Sequence, residues 1–305
     1  MSIKPGQLSK TRIAPTPSGF LHLGNVLSFT ITAAIAEKTD AKIVLRIDDL
    51  DRERVRKEYV QVIFDTLNFL EIPWHEGPRD FHEYEVEYSQ IHRLNLYNKA
   101  LKELSDSGQV FACNCSRAQI RANNPDEIYP GTCRGKAIPL NARDVSWRLY
   151  TDRIREIVIN TLDEGIIKTN LPAPMQDFVV RKKDGYPAYQ LASVIDDLHF
   201  GVDLVVRGED LYDSTLAQVY LASVLNAEAF KNITFHHHPL LTALSGRKLS
   251  KSAGDTSIHY LRAQGKKPVD VYTEIAAMLG FEENVKDWRQ LAELLNGNYL
   301  PSDSI

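Results

Sequence analysis

The 305-residue sequence predicts an α/β fold: a parallel sheet flanked by helices, interrupted by an inserted α+β lobe and followed by a short helical part. Three observations predict it. A β-prone run from Thr11 breaks at Pro15 and Pro17 and gives way to an apolar helical stretch over residues 26–37, after which KIVLRI (42–47) is again β-rich. Such β-α-β alternation makes parallel sheets whose ligands sit at the carboxyl ends of the strands. The rhythm stops between Gln109 and about Leu191, where VSWRLY, REIVIN and QDFVVRKKDGYPAY are short β runs and Asp184-Gly185 is a hairpin signal. It then resumes with a helix over 191–197, the strand DLVVRGED, the helix STLAQVYLASVL and the strand NITFHHH.

The elements between these runs follow from spacing. Val55, Tyr59, Val62, Ile63, Leu67 and Leu70 recur at helical intervals up to Pro73, and Ile91, Leu94, Tyr97, Leu101 and Leu104 do so before Gly108. Both read as amphipathic helices covering the sheet. After about Ser257 the helix formers of VYTEIAAMLGF and DWRQLAELLNG predict a helical tail.

Composition narrows the function. The 43% hydrophobic content supports an ordinary core, and no apolar run approaches the roughly 18 to 20 residues that span a bilayer. The N-terminus MSIKPGQLSK lacks the apolar centre of a signal peptide, so a cytoplasmic location is expected. A net charge of −4 excludes a uniformly basic surface, so any RNA contact must use local patches; candidates are Arg117, Arg121, Arg134, Lys136, Arg143, Arg148 and Arg181 to Lys183. Three cysteines, two of them one residue apart, suit metal ligation or buried thiols better than a disulfide framework.

Two stretches carry chemistry. In TRIAPTPSGFLHLGN (11–25) a strand turns through Ser18 and Gly19 into a helix near His22, offering backbone N–H groups and partial positive charge to an anion; Gly24 lacks the Cβ that would hold a nucleotide away. Taken alone, it reads equally as an ordinary strand-to-helix connection. In GRKLSKS (246–252) three cations lie among small, loop-prone residues, either as a solvated turn or as a clamp for a triphosphate.

Together the two stretches resemble a family. His22-Leu23-Gly24-Asn25 resembles the HIGH signature, and Lys248-Leu249-Ser250-Lys251-Ser252 the KMSKS signature, of class I aminoacyl-tRNA synthetases. RIAPTPSGFLHLGN, LRIDDLDRERV, YQLASVIDDLHFGVDLVVRGEDL and HHHPLLTALSGRKLSKS follow the order of the glutamyl branch across most of residues 11–255. The short length and the CNC-to-YPGTC segment are most similar to the truncated glutamyl-queuosine tRNA(Asp) paralogues.

The resemblance implies a Rossmann-like catalytic domain in two halves (1–108 and 191–256), an inserted acceptor-binding-like lobe with a zinc site (109–190) and a helical stem-contact-like tail (257–305). It implies no anticodon-binding domain, since about fifty residues follow the lysine loop. The implied activity is ATP-dependent activation of L-glutamate without tRNA, with Mg²⁺ on the ATP, and transfer to queuosine at the wobble position of tRNA(Asp); a monomer is expected. His22, Gly24, Asn25, Lys248 and Lys251 would bind ATP, with His22 and Lys251 catalytic. Nothing in this chemistry needs a protein nucleophile, because cationic groups and positioning supply the rate.

Glutamate needs an arginine for its side-chain carboxylate and an anion for its ammonium. Arg12, Asp48, Tyr189 and Arg207 match the family positions, and Ala14 and Thr16, beside Arg12, are expected to bind glutamate through their backbone. Asp48 and Asp49 also read as ordinary turn or capping acids after a strand. Asp48 replaces the usual family Glu and is one methylene shorter, which invites a bridging water; Ser193 replaces a frequent Asn.

Cys113, Cys115, Tyr129 and Cys133 resemble the zinc ligands of the queuosine branch, implying a structural Zn²⁺. Local chemistry leaves open a three-thiolate site completed by water or histidine. His236, His237 and His238 are not assigned as ligands, because neighbours on a strand face opposite ways. The alternatives are a truncated glutamyl enzyme charging the 3′ end of tRNA(Glu) and a catalytically silent RNA- or amino-acid-binding paralogue; Asn25 counts against an HxGH nucleotidyltransferase.

Overall fold

β1 (Lys10–Ile13), α1 (Leu23–Thr39) and β2 (Lys42–Leu45) form the predicted β-α-β unit in the computed structural model, which describes residues 8–124, 126, 128–152, 156–241, 257–297, 299 and 300. α2 (Lys57–Phe69) follows, then a single helical turn, α3 (Phe81–Glu83), leading into a π-helical turn over Tyr84–Tyr88. Next come α4 (Leu94–Asp106), β3 (Val110–Cys113), α5 (Arg117–Asn123), β4 (Ser146–Leu149), β5 (Glu156–Thr161), β6 (Gly165–Asn170), β7 (Val179–Arg181) and α6 (Tyr189–Phe200). The chain closes with β8 (Leu204–Gly208), α7 (Tyr212–Val224), α8 (Glu228–Lys231), β9 (Thr234–His238), α9 (Ile258–Ala263), α10 (Pro268–Met278) and α11 (Trp288–Leu294). Among the described residues, no helix is long and apolar enough to cross a membrane.

Two compact units result: 1–92 with 202–210 and 235–305, and 93–201 with 211–234. In the first, β1 pairs in parallel with β2 from Lys10↔Lys42 to Ile13↔Leu45. The pairing continues beyond the strands, since the Arg46 amide donates to Ile13 O at 2.9 Å and the Asp48 amide to Pro15 O at 3.0 Å. β8 runs alongside β1, tied at its start by Asp203, whose carboxylate accepts the amides of Ser9 and Lys10 and the Ser9 hydroxyl. The Asp203 amide returns a bond to Lys10 O.

α1 is apolar on nearly every side and is buried accordingly, packed on β1 and β8 with α10 and α11 beside it. It ends where Asp40 takes a left-handed conformation (φ 55°) and its amide caps Ala36 O. Gly77 is required near β2: φ is +95°, and a Cβ there would lie 2.2 Å from Leu45 O.

In the second unit β3, β4 and β7 form an antiparallel sheet, and β5 and β6 a hairpin from Glu156↔Asn170 to Thr161↔Gly165. The expected Asp184-Gly185 turn follows β7: Gly185 has φ +92°, and the Lys182 amide donates to Tyr186 O. α6 is held to α4 by a buried cluster in which Asp196 accepts Arg93 Nε at 2.8 Å and the Tyr97 hydroxyl at 2.6 Å. Burial, then the Asp196 charge, pushes the Tyr97 phenol far up, so it remains a donor.

Candidate functional site

The turn after β1 ends on a histidine that caps a helix. His22 is extended (φ −117°, ψ 172°), its Nδ1 accepts the Gly24 amide at 3.1 Å, and its own amide donates to Asn25 Oδ1 at 3.0 Å. This is a capping box built from His and Asn in place of Ser and Glu. An accepting Nδ1 places the ring proton on Nε2, making that atom a donor. A Cβ on residue 24 would sit 3.1 Å from both Cε1 and Nδ1 of His22, so glycine is what lets the ring lie over the helix end.

The carboxyl ends of the neighbouring strands present charge beside this helix end. Arg12 is buried and its Nη1 donates to Val206 O at 3.1 Å, one residue before Arg207. Arg207 is also buried, with its guanidinium 5.4 Å from the Phe235 ring centroid. Asp48 accepts Arg46 Nε at 2.7 Å and Nη2 at 3.2 Å, a two-pronged ion pair in which both side chains are nearly inaccessible. Asp49 points the other way and is completely buried: it accepts the Tyr84 hydroxyl at 2.6 Å, the Ser89 hydroxyl and Arg52 Nη1 at 2.5 Å each, and the Gln90 amide at 2.9 Å. Burial and the Asp49 charge push the Tyr84 phenol far above its ordinary range, keeping it a donor.

Arg12, Ala14, Thr16, His22, Gly24, Asn25, Asp48 and Arg207 therefore all belong to the first unit, at the ends of β1, β2 and β8 or the start of α1. Tyr189 belongs to the second unit, where it opens α6 and is 43% exposed. Lys248 and Lys251 lie outside the described residues. Ser257 forms an antiparallel bridge with His22, and the Ile258 amide donates to Leu21 O at 2.8 Å.

Sequence reasoning missed Arg46 and the reach of Asp49. Arg46 was recoverable, because residues two apart on extended backbone share a face. On β9, His236 and His238 are buried while His237 is half-buried. Burial pushes His238 down to about 4, leaving a neutral ring whose Nδ1 lies 2.9 Å from Pro239 O.

In the second unit the three cysteine sulfurs all lie within 4.8 Å of one another, with Cys115 Sγ and Cys133 Sγ 3.6 Å apart. Tyr129 joins them in one buried cluster, its phenol oxygen accepting the Cys133 amide at 2.8 Å. Tetrahedral bonds of about 2.3 Å place two thiolates about 3.8 Å apart, so the donor set fits a zinc-sized ion. Burial opposes ionisation of Cys113, but hydrogen bonds from Tyr129 and Arg148 outweigh it and lower that thiol; burial and the neighbouring thiols push Cys115 up to about 11. Arg148 does not face RNA as its place among the basic residues suggested. It is buried, 3.7 Å from the Tyr129 ring centroid, and Nη1 donates to Asp177 O at 2.8 Å.

Comparison with known proteins gives the family. Residues 9–295 match the family described as tRNA synthetases class I (E and Q), catalytic domain. A glutamyl-Q tRNA(Asp) synthetase of Symbiobacterium thermophilum is 35% identical over 285 residues, covering 88% of this chain and 86% of the relative. One of Nitratidesulfovibrio vulgaris is 34% identical over 286 residues, with 88% and 86% covered. The crystal structure of glutamate-tRNA synthetase from Elizabethkingia anophelis superposes with a TM-score of 0.71 at 22% identity, over 93% of this chain and 65% of that one, a likeness of fold. The chain belongs to the class I (E and Q) tRNA synthetases and, within them, to the glutamyl-Q tRNA(Asp) synthetases.

Proposed function

We propose that the chain activates L-glutamate with ATP and transfers it to queuosine at the wobble position of tRNA(Asp), as the names of its relatives indicate for them. A glutamate α-carboxylate oxygen bonds to the α-phosphorus of ATP, the bond to the bridging oxygen breaks, and pyrophosphate leaves. A hydroxyl of queuosine then attacks the acyl carbon of the adenylate, and AMP departs with the bonding pair.

The observation that carries this reading is the grouping of His22, the amino end of α1 and the buried Arg12 and Arg207 at the carboxyl ends of β1 and β8. His22 Nε2–H and the helix end meet phosphoryl oxygens, where preorganised donors lower the barrier most. Arg12 and Arg207 hold glutamate carboxylates, Asp48 its ammonium, and Ala14 and Thr16 supply backbone contacts. Lys251 and Lys248 are assigned to the triphosphate. Lys251 precedes Ser257 by six positions in the sequence, and Ser257 is bridged to His22. Mg²⁺ accompanies the ATP, held mainly by phosphate and water.

Cys113, Cys115, Tyr129 and Cys133 hold a structural zinc in this reading, supported by the mutual closeness of the thiols. When bound, the ion supplies a crosslink between the end of β3 and the YPGTC segment. The test of function is transfer of labelled glutamate to tRNA(Asp) prepared with and without queuosine. Label in the queuosine-bearing RNA alone is expected; equal charging of the unmodified RNA, or of tRNA(Glu), overturns the reading.

A further inference from the structure

Asp48, the proposed ammonium anchor, does not stand alone. It accepts both Nε and Nη2 of Arg46, and the two side chains are almost wholly removed from solvent. The geometry is fixed from behind on both residues: the Arg46 amide is bonded to Ile13 O and the Asp48 amide to Pro15 O, which extends the parallel register past β2. With Ile47 buried between them on extended backbone, the two charged side chains project to the same face. The planar fork of a guanidinium fixes the plane and direction of a carboxylate, which an ammonium or a single hydrogen bond would leave free to rotate.

We propose that Arg46 is a positioning residue for amino-acid selection: its fork aims the short Asp48 carboxylate at the glutamate ammonium. This rests on the assignment of Asp48 as that anchor. Each carboxylate oxygen has two lone pairs, and the fork engages one on each, so pairing with Arg46 is compatible with a further donor. An aspartate has less reach and fewer rotamers than a glutamate, so its aim depends on what holds it.

The experiment is glutamate-dependent ATP–pyrophosphate exchange on the full chain, comparing Arg46→Met, Arg46→Lys, Asp48→Asn and the double variant Arg46→Met/Asp48→Asn. Arg46→Met is expected to raise the KM for glutamate by roughly tenfold or more, the scale of losing one charge-assisted contact, while the KM for ATP stays within about twofold. Arg46→Lys, which keeps the charge and loses the fork, falls between, and it serves as the readable variant should the methionine form fold poorly. The double variant is expected to match Asp48→Asn, because the proposed effect of Arg46 on glutamate binding runs through the Asp48 carboxylate. Effects that multiply in the double variant, an unchanged glutamate KM in Arg46→Met, or a parallel rise in the KM for ATP overturn the proposal. An unchanged glutamate KM in Asp48→Asn instead overturns the ammonium assignment itself, so the two failures are distinct.

Discussion

His22 Nδ1 accepts the Gly24 amide at 3.1 Å, so the ring assigned to a phosphate is also the N-cap of α1. Capping and phosphate binding use different nitrogens of one ring, and the first fixes the proton on the second. The two roles separate by substitution. His22→Asn keeps a capping oxygen and is expected to retain stability, whereas His22→Ala loses about 1 kcal/mol. Both are expected to lose adenylate formation by about a hundredfold or more, the scale of removing a transition-state donor. Urea melts alongside pyrophosphate exchange read the two effects.

Asp49 joins residues far apart in the sequence. With Tyr84, Ser89 and the Gln90 amide all donating to one completely buried carboxylate, it pins the π-helical turn to the end of β2. Asp49→Ala leaves several buried donors unmatched and is expected to cost about 3 kcal/mol or more. Tyr84→Phe removes a single donor and is expected to cost about 1 kcal/mol. Chemical denaturation of both variants checks the order.

His238 makes stability depend on pH in a defined window. Burial lowers its native value to about 4, against an ordinary 6.5, so the unfolded chain binds a proton more readily than the native one. The His238 contribution is complete above about pH 6.5 and is lost progressively as pH falls toward about 4. His238→Gln is expected to flatten the acid limb of a stability–pH curve over that range. An unchanged limb sinks this assignment.

The thiol cluster predicts tight metal binding with proton release. Cys115, raised to about 11 without metal, is protonated at neutral pH and must lose its proton to ligate. Zinc added to metal-free protein is expected to acidify a weakly buffered solution and raise the melting temperature. Cys133→Ser is expected to abolish stoichiometric zinc, measured by elemental analysis.

Much of this was legible in the sequence, for reasons that differ by residue. The β-α-β unit was readable because α1 is an apolar run set off from β1 by Pro15 and Pro17 and followed at once by the β-rich KIVL of β2. Arg12 and Arg207 were picked out through the family resemblance, and they lie on strands at the end of the sheet where ligands are delivered, with His22 at the start of α1. Asp49 was not readable as a hub, since its donors Tyr84 and Gln90 lie 35 and 41 residues away and no spacing rule links them. Arg148 looked like one more surface cation, yet β4 turns it inward onto Tyr129. Charge alone does not tell a solvated arginine from one stacked beneath a phenol; strand register does.

The measurement that bears most directly on the account is pyrophosphate exchange into ATP with glutamate present and no RNA added, run on the parent chain, His22→Ala and Lys251→Ala. Glutamate-dependent exchange in the parent, lost in both variants, is the predicted result. Exchange that needs tRNA, or that survives intact in either variant, contradicts a single triphosphate site shared by the helix end and the lysine loop.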